Sequence, residues 1–166
     1  QAARIADSLP PFVTTVGLFV NAEADAIARV VETVRIDMIQ FHGDESPEFC
    51  AAQSRPWLRA LRMRPDLALA EQMQRYVAGR GILLDAYRAG VPGGTGETFD
   101  WDRIPAELAS QVVLAGGLTP DNAAQAVRQV RPYGLDVSGG VESQPGIKSS
   151  DKIARFMAAV RDGELS

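Results

Sequence analysis

Asp85 closes an apolar run, Leu83-Leu84-Asp85-Ala86, and its setting is the first in this sequence to suggest chemistry. Burial of a carboxyl group without a cationic partner disfavours its charged form, which is how a carboxylic acid becomes a usable general acid near neutral pH. An aspartate there also caps helices or braces loops, and the sequence leaves both readings open. The loop beyond it, Val91 to Phe99, holds three glycines in nine residues, Gly94 among them. Glycines permit positive φ and let backbone N–H groups approach an anion. Two more glycine turns, AGGLTPDN at Ala115 to Asn122 and DVSGGVE at Asp136 to Glu142, follow later apolar segments. Gly116, Gly117, Gly139 and Gly140, with the Ser138 hydroxyl, could together hold a phosphate, partly on a short extra helix starting near Gly140 to Ser143. The alternative is that these glycines only make tight strand exits.

His42 is the only histidine, and it stands in QFHGDE two residues after Gln40. In an extended segment that spacing puts both side chains on one side. A lone histidine is often structural, so the pair is a candidate contact and no more. Cys50, the only cysteine, falls within a helical stretch, where packing is the expected role. Arg62 stands near a strand end and fits a substrate contact or a surface ion pair equally well.

The elements that must position these groups alternate. Six apolar segments suggest buried strands: Thr15 to Val20, Met38 to Phe41, Trp57 to Leu61, Ile82 to Leu84, Val112 to Ala115 and Leu135 to Val137. Helical spacing fills Ala22 to Val34, Pro47 to Gln53, Asp66 to Ala78, Pro120 to Val130 and Asp151 to Val160. Asn21, Ser46, Thr119 and Ser150 are candidate N-caps, and Pro47 and Pro120 suit first-turn positions. Strand, helix, strand in succession predicts a parallel α/β sheet, and such folds keep their sites where strands end.

A net charge of -4, with 17 basic residues scattered among 21 acidic ones, gives no cationic stripe for nucleic acid. The apolar runs are too short to span a membrane, and the first residues lack signal-peptide character. A single cysteine permits no internal disulfide. These features predict a cytoplasmic protein with neither a nucleic-acid nor a membrane partner.

VGLFVN at Val16 to Asn21, IQFHGDE at Ile39 to Glu45, LLDA at Leu83 to Ala86, GGTGETFDW at Gly93 to Trp101, LAGGLTPDN at Leu114 to Asn122, and LDVSGGVE followed by PGIKS resemble, in order, the phosphoribosylanthranilate isomerase family. The resemblance runs the whole length, and the GGTG-x-TFDW loop separates it from other phosphate-sugar barrels that would share the two turns. Departures are Phe41, Glu97 and Gly139, where leucine, lysine and serine are common in the family.

The resemblance implies a (β/α)8 TIM barrel and an aldose–ketose isomerase of tryptophan biosynthesis, acting as monomer or homodimer with neither cofactor nor metal. It would convert N-(5'-phosphoribosyl)anthranilate to 1-(2-carboxyphenylamino)-1-deoxyribulose 5-phosphate by an Amadori rearrangement. Carried across, Asp85 is the catalytic acid. Gln40, His42 and Asp136 surround the anthranilate, and Gly94, Gly116, Gly117, Ser138, Gly139 and Gly140 lie around the phosphate. The family's base, a cysteine on the first barrel strand, has no match here. Residues 1–166 are therefore expected to be one N-terminally incomplete barrel domain of about six β/α units, from the third strand to the eighth helix. That reading makes the chain inactive alone; the rival is a non-catalytic fragment that still binds ligand.

Overall fold

A computed structural model describes residues 1–86 and 98–165 of the chain. Gly94, expected at the phosphate, and the departure at Glu97 lie outside the described residues. The chain divides into two compact units, Gln1–Ala60 with Met73–Ile82, and Leu61–Gln72 with Leu83–Ser166. No helix among the described residues is long and apolar enough to cross a membrane.

The elements follow in the order α1 (Ala2–Asp7), β1 (Val16–Phe19), α2 (Ala24–Thr33), β2 (Met38–Phe41), α3 (Pro47–Ala51), β3 (Trp57–Arg62), α4 (Leu69–Arg75) and β4 (Ile82–Asp85). Then come α5 (Ala106–Ala109), β5 (Val112–Leu114), α6 (Ala123–Val130), β6 (Gly134–Leu135), β7 (Glu142–Gln144), β8 (Ile147–Lys148) and α7 (Ser150–Glu164). Strands β1 to β6 form one six-stranded sheet in chain order, and β1–β2, β2–β3 and β5–β6 pair in parallel. Between β3 and β4 the bonds Arg59 N to Gly81 O and Met63 N to Asp85 O advance together, which is also parallel. All six strands expected from the apolar segments are present.

In the first unit Ile27 and Val31, four residues apart on α2, are buried together with Ile36 and Ile39. Phe41 is fully buried and meets Phe49 and Trp57 edge-on at centroid distances of 6.1 and 6.2 Å. The larger ring at this position is thus absorbed by aromatic packing. In the second unit Val112 and Leu114 of β5 are fully buried, and so are Ala123 and Ala126 of α6.

Several local expectations are corrected. Ser46 caps α3 as expected, accepting from Phe49 N at 3.2 Å, but Asn21 caps nothing. Its backbone is left-handed at φ 52 and its side chain accepts from Asp44 N at 2.6 Å, so α2 starts after Glu23. Thr119 caps the turn that leads into α6: its hydroxyl accepts from Asp121 N at 3.3 Å, while the Asn122 side chain accepts from Thr119 N at 2.8 Å and donates to Gly117 O at 3.0 Å. α6 itself runs from Ala123 rather than from Pro120. Ser149, not Ser150, caps α7 through Lys152 N at 3.3 Å.

The extra helix expected near Gly140 to Ser143 is a single 3₁₀ turn, Gly139–Val141. The chain then runs into the antiparallel ribbon β7–β8, which reverses through Gly146 at φ 79. A ribbon pairing Glu142 with Lys148 uses the backbone groups a helix would need. Sequence periodicity also missed the short pieces before β5, a 3₁₀ turn at Trp101–Arg103 and α5, which Pro105 separates.

Candidate active site

In the second unit Asp85 is the last residue of β4, and its side chain is buried at 8% exposure. One carboxylate oxygen, Oδ1, accepts from Ala86 N at 2.9 Å. Gly116 leaves β5 at φ 82 directly beside it. A Cβ there would stand 2.4 Å from Ala86 N and 2.9 Å from Asp85 Oδ1. Glycine at 116 is thus required twice, by backbone sign and by the closeness of the carboxylate. Gly117 continues the turn at φ 65.

The turn after β6 meets the turn after β5. A Cβ at Gly140 would lie 1.8 Å from Leu118 O and 3.1 Å from Thr119 Cα, so the two turns touch backbone to backbone. Gly139 is different, since a Cβ added there would meet nothing within 4 Å. Ser138 is exposed, and Lys148 Nζ donates to its carbonyl at 3.0 Å, to its hydroxyl oxygen at 3.3 Å and to Glu142 Oε1 at 2.8 Å. The Ser138 hydroxyl keeps its own proton to donate, and Lys148 brings a positive charge that sequence reasoning had not singled out. That same bond from Lys148 holds the Glu142 carboxyl below the usual carboxylate range. Asp136 is exposed just past β6, and its N–H donates to Leu114 O at 2.9 Å. Arg62 ends β3, half-buried.

In the first unit Gln40 is buried on β2 and His42 is half-buried just beyond its end. The Gln40 amide nitrogen donates to His42 Nδ1 at 3.2 Å. Both side chains therefore share a side, and an Nδ1 that accepts from the amide puts the ring N–H on Nε2. Sequence reasoning missed two buried charges in the same unit, Glu45 and Arg59, which pair at 2.6 Å. The signal was there in Trp57-Leu58-Arg59-Ala60-Leu61, where an arginine interrupts an apolar strand.

Cys50 is fully buried in α3, and burial pushes its thiol up from 9.0 to about 11, against a smaller lowering by Arg59. A folded value above the unfolded one gives stability that is complete below the unfolded value and lost as pH rises through the folded one. Native protein is expected to resist thiol reagents at about pH 8 and to react once unfolded, with unfolding made easier above about pH 9. Fast labelling of native protein in a thiol-reagent time course would contradict this burial.

A model of the family described as N-(5'phosphoribosyl)anthranilate (PRA) isomerase matches residues 1–159. The N-(5'-phosphoribosyl)anthranilate isomerase of Pseudomonas putida (strain GB-1) is 56% identical over 161 residues, covering 97% of this chain and 78% of the relative. Among solved structures, phosphoribosyl anthranilate isomerase from Thermus thermophilus superposes with a TM-score of 0.83 at 31% identity, over 99% of this chain and 80% of that one. A phosphoribosyl anthranilate isomerase in complex with reduced 1-(o-carboxyphenylamino)-1-deoxyribulose 5-phosphate gives 0.76 at 34% identity, over 96% and 77%. The parallel α/β architecture is that of these TIM-barrel proteins. These matches take in 97% of this chain and 78% of the relative's length, and they show neither the expected missing strand–helix–strand segment nor an inactive chain.

Proposed function

Since the chain belongs to the N-(5'-phosphoribosyl)anthranilate isomerase family of tryptophan biosynthesis, we propose that Asp85 is the acid that opens the sugar ring of the substrate. The carboxylic acid donates its proton to the furanose ring oxygen as the bond from that oxygen to C1' breaks. The lone pair of the anthranilate nitrogen fills in behind it, giving a Schiff base. Loss of the C2' proton to a general base yields an enolamine. Protonation at C1' and loss of the C2' hydroxyl proton then complete the ketone. Cys50 is not that base, because its buried thiol is held in the neutral form.

The observation that carries this reading is the run of close approaches in the second unit. Asp85 lies against Gly116, and the Leu118–Thr119 backbone lies against Gly140. One strand end thus offers a buried acid, and the two neighbouring turns offer backbone, the Ser138 hydroxyl and the Lys148 charge to a phosphate. A single 3₁₀ turn, not a helix terminus, follows the second of these turns. Gln40, His42 and Asp136 are assigned to the anthranilate end, where an imidazole N–H is a donor suited to a carboxylate. The reduced product analogue held by the related structure is the ligand we expect here. We place the reaction in the cytoplasm, as the cysteine usage favours.

Isomerisation in deuterated water tests the sequence of steps. The expected product has a ketone carbon at C2' and solvent deuterium at C1' by NMR. A ketone formed with no deuterium at C1', or no ketone, rejects the enolamine route. Replacing Cys50 with alanine should leave kcat within about threefold, since no proton transfer is assigned to it; a loss of about a hundredfold in stable protein would restore it as a base.

A further inference from the structure

We propose that Glu45, Arg59 and Tyr76 form a buried brace that positions His42 and Gln40, so that they act as positioning residues for recognition of the substrate's carboxylate-bearing ring. The proposal rests on the reading that Gln40 and His42 contact that ring.

The arms of the brace gather on the end of β2 and the short segment after it, and one reaches Asn21 beyond β1. Glu45 Oε2 accepts from Arg59 Nη1 at 2.6 Å and from Gly43 N at 2.9 Å, while Oε1 accepts from Asn21 N at 2.7 Å. Arg59 Nη2 donates to Gly43 O at 2.6 Å, and Nη1 reaches Phe41 O at 3.3 Å. Tyr76 Oη donates to Glu45 O at 2.8 Å, and the guanidinium stands 5.0 Å from the Tyr76 ring centroid. The carbonyls and amides bound at Phe41, Gly43 and Glu45 bracket His42 on both sides. The guanidinium fork, with separate arms for Gly43 and Glu45, fixes direction as well as distance.

The side chains of Arg59 and Glu45 are only 7% and 3% exposed. A buried ion pair is a poor stabiliser, because desolvation offsets most of its attraction. Fixed geometry is what such a pair supplies, and here the geometry fixed is that of a backbone segment carrying the only histidine. Gly43 completes the arrangement, since a Cβ on it would stand 2.2 Å from Asn21 Oδ1.

That single histidine makes the test direct. Nitrogen-15 NMR of the imidazole should show the Nε2–H tautomer in the wild-type protein. In Arg59→Met and Glu45→Gln, the two ring nitrogens should shift toward a tautomer average, while KM rises about tenfold and kcat stays within about threefold. Arg59→Lys, which keeps the charge and loses the fork, should fall between. Tyr76→Phe removes one bond and should move both readouts the same way by less, which keeps the test open if Arg59→Met does not fold. Folded variants with unchanged tautomer and unchanged KM would overturn the brace. His42→Ala separates the two layers. If it leaves KM unaltered, the contact reading fails and the tautomer shifts alone decide the brace; if it raises KM while the brace variants do not, the brace fails and the contact reading stands.

Discussion

Replacing Asp85 with asparagine is expected to lower kcat by about a thousandfold, the middle of the range for losing a positioned general acid. Binding of the reduced product analogue should change by no more than about threefold, because asparagine keeps an oxygen for Ala86 N and nearly the same volume beside Gly116. What it cannot do is donate an acid proton to the ring oxygen. The separation of kcat from binding is the diagnostic feature. An aspartate that merely braced the exit of β4 would instead leave kcat near the wild-type value, since its bond to Ala86 N is one the amide can reproduce. Steady-state kinetics together with calorimetric titration of the analogue decide between these. Turnover within about threefold of the wild-type protein would remove Asp85 from the acid role.

Much of this site was legible in the sequence because strand ends and glycines leave local marks. Asp85 is an ionisable residue at the end of an apolar run, and in the fold it takes the last position of β4. Gln40 and His42 are two residues apart in an extended segment, and period-two geometry brings them into a hydrogen bond. Pairings between distant residues leave no such mark. Glu45 and Arg59 are separated by 14 positions, and only the register that sets Phe41 beside Arg59 brings them together. The competition for backbone groups after β6 was equally hidden, since GGVES suits a helix start and a ribbon alike until Lys148 returns to Glu142 and Ser138. The start of α6 was hidden for a similar reason: the Thr119 hydroxyl accepts from Asp121 N while Asn122 accepts from Thr119 N, so the cap closes a turn ahead of the helix. Local propensity proposes such ends, and side-chain competition for the backbone settles them.

Gly139 and Gly140 are adjacent and identical in type, so sequence alone gives them one role. The backbone separates them. A methyl group at 140 would meet Leu118 O at 1.8 Å, and the obstacle is main chain that cannot swing aside as a side-chain tip can. The same methyl at 139 meets nothing within 4 Å, and neither residue is among the positive-φ glycines. Gly140→Ala should therefore destabilise the protein by about 2 kcal/mol through overpacking, which is about 4–8 °C in Tm for a chain of this size. It should also push the two proposed phosphate turns apart, raising KM about tenfold or more as backbone donors lose their aim. Gly139→Ser, which installs the residue common in the family, should stay within about 0.5 kcal/mol and leave KM within about threefold. Thermal melts and saturation kinetics on the two variants provide the comparison. Equal effects at both positions would mean that the contact between Gly140 and Leu118 does not hold the turns, and the phosphate assignment would then lose its geometric basis. The expected asymmetry also explains how serine can be tolerated at the first position while the second is confined to glycine: one faces open space, the other a carbonyl oxygen.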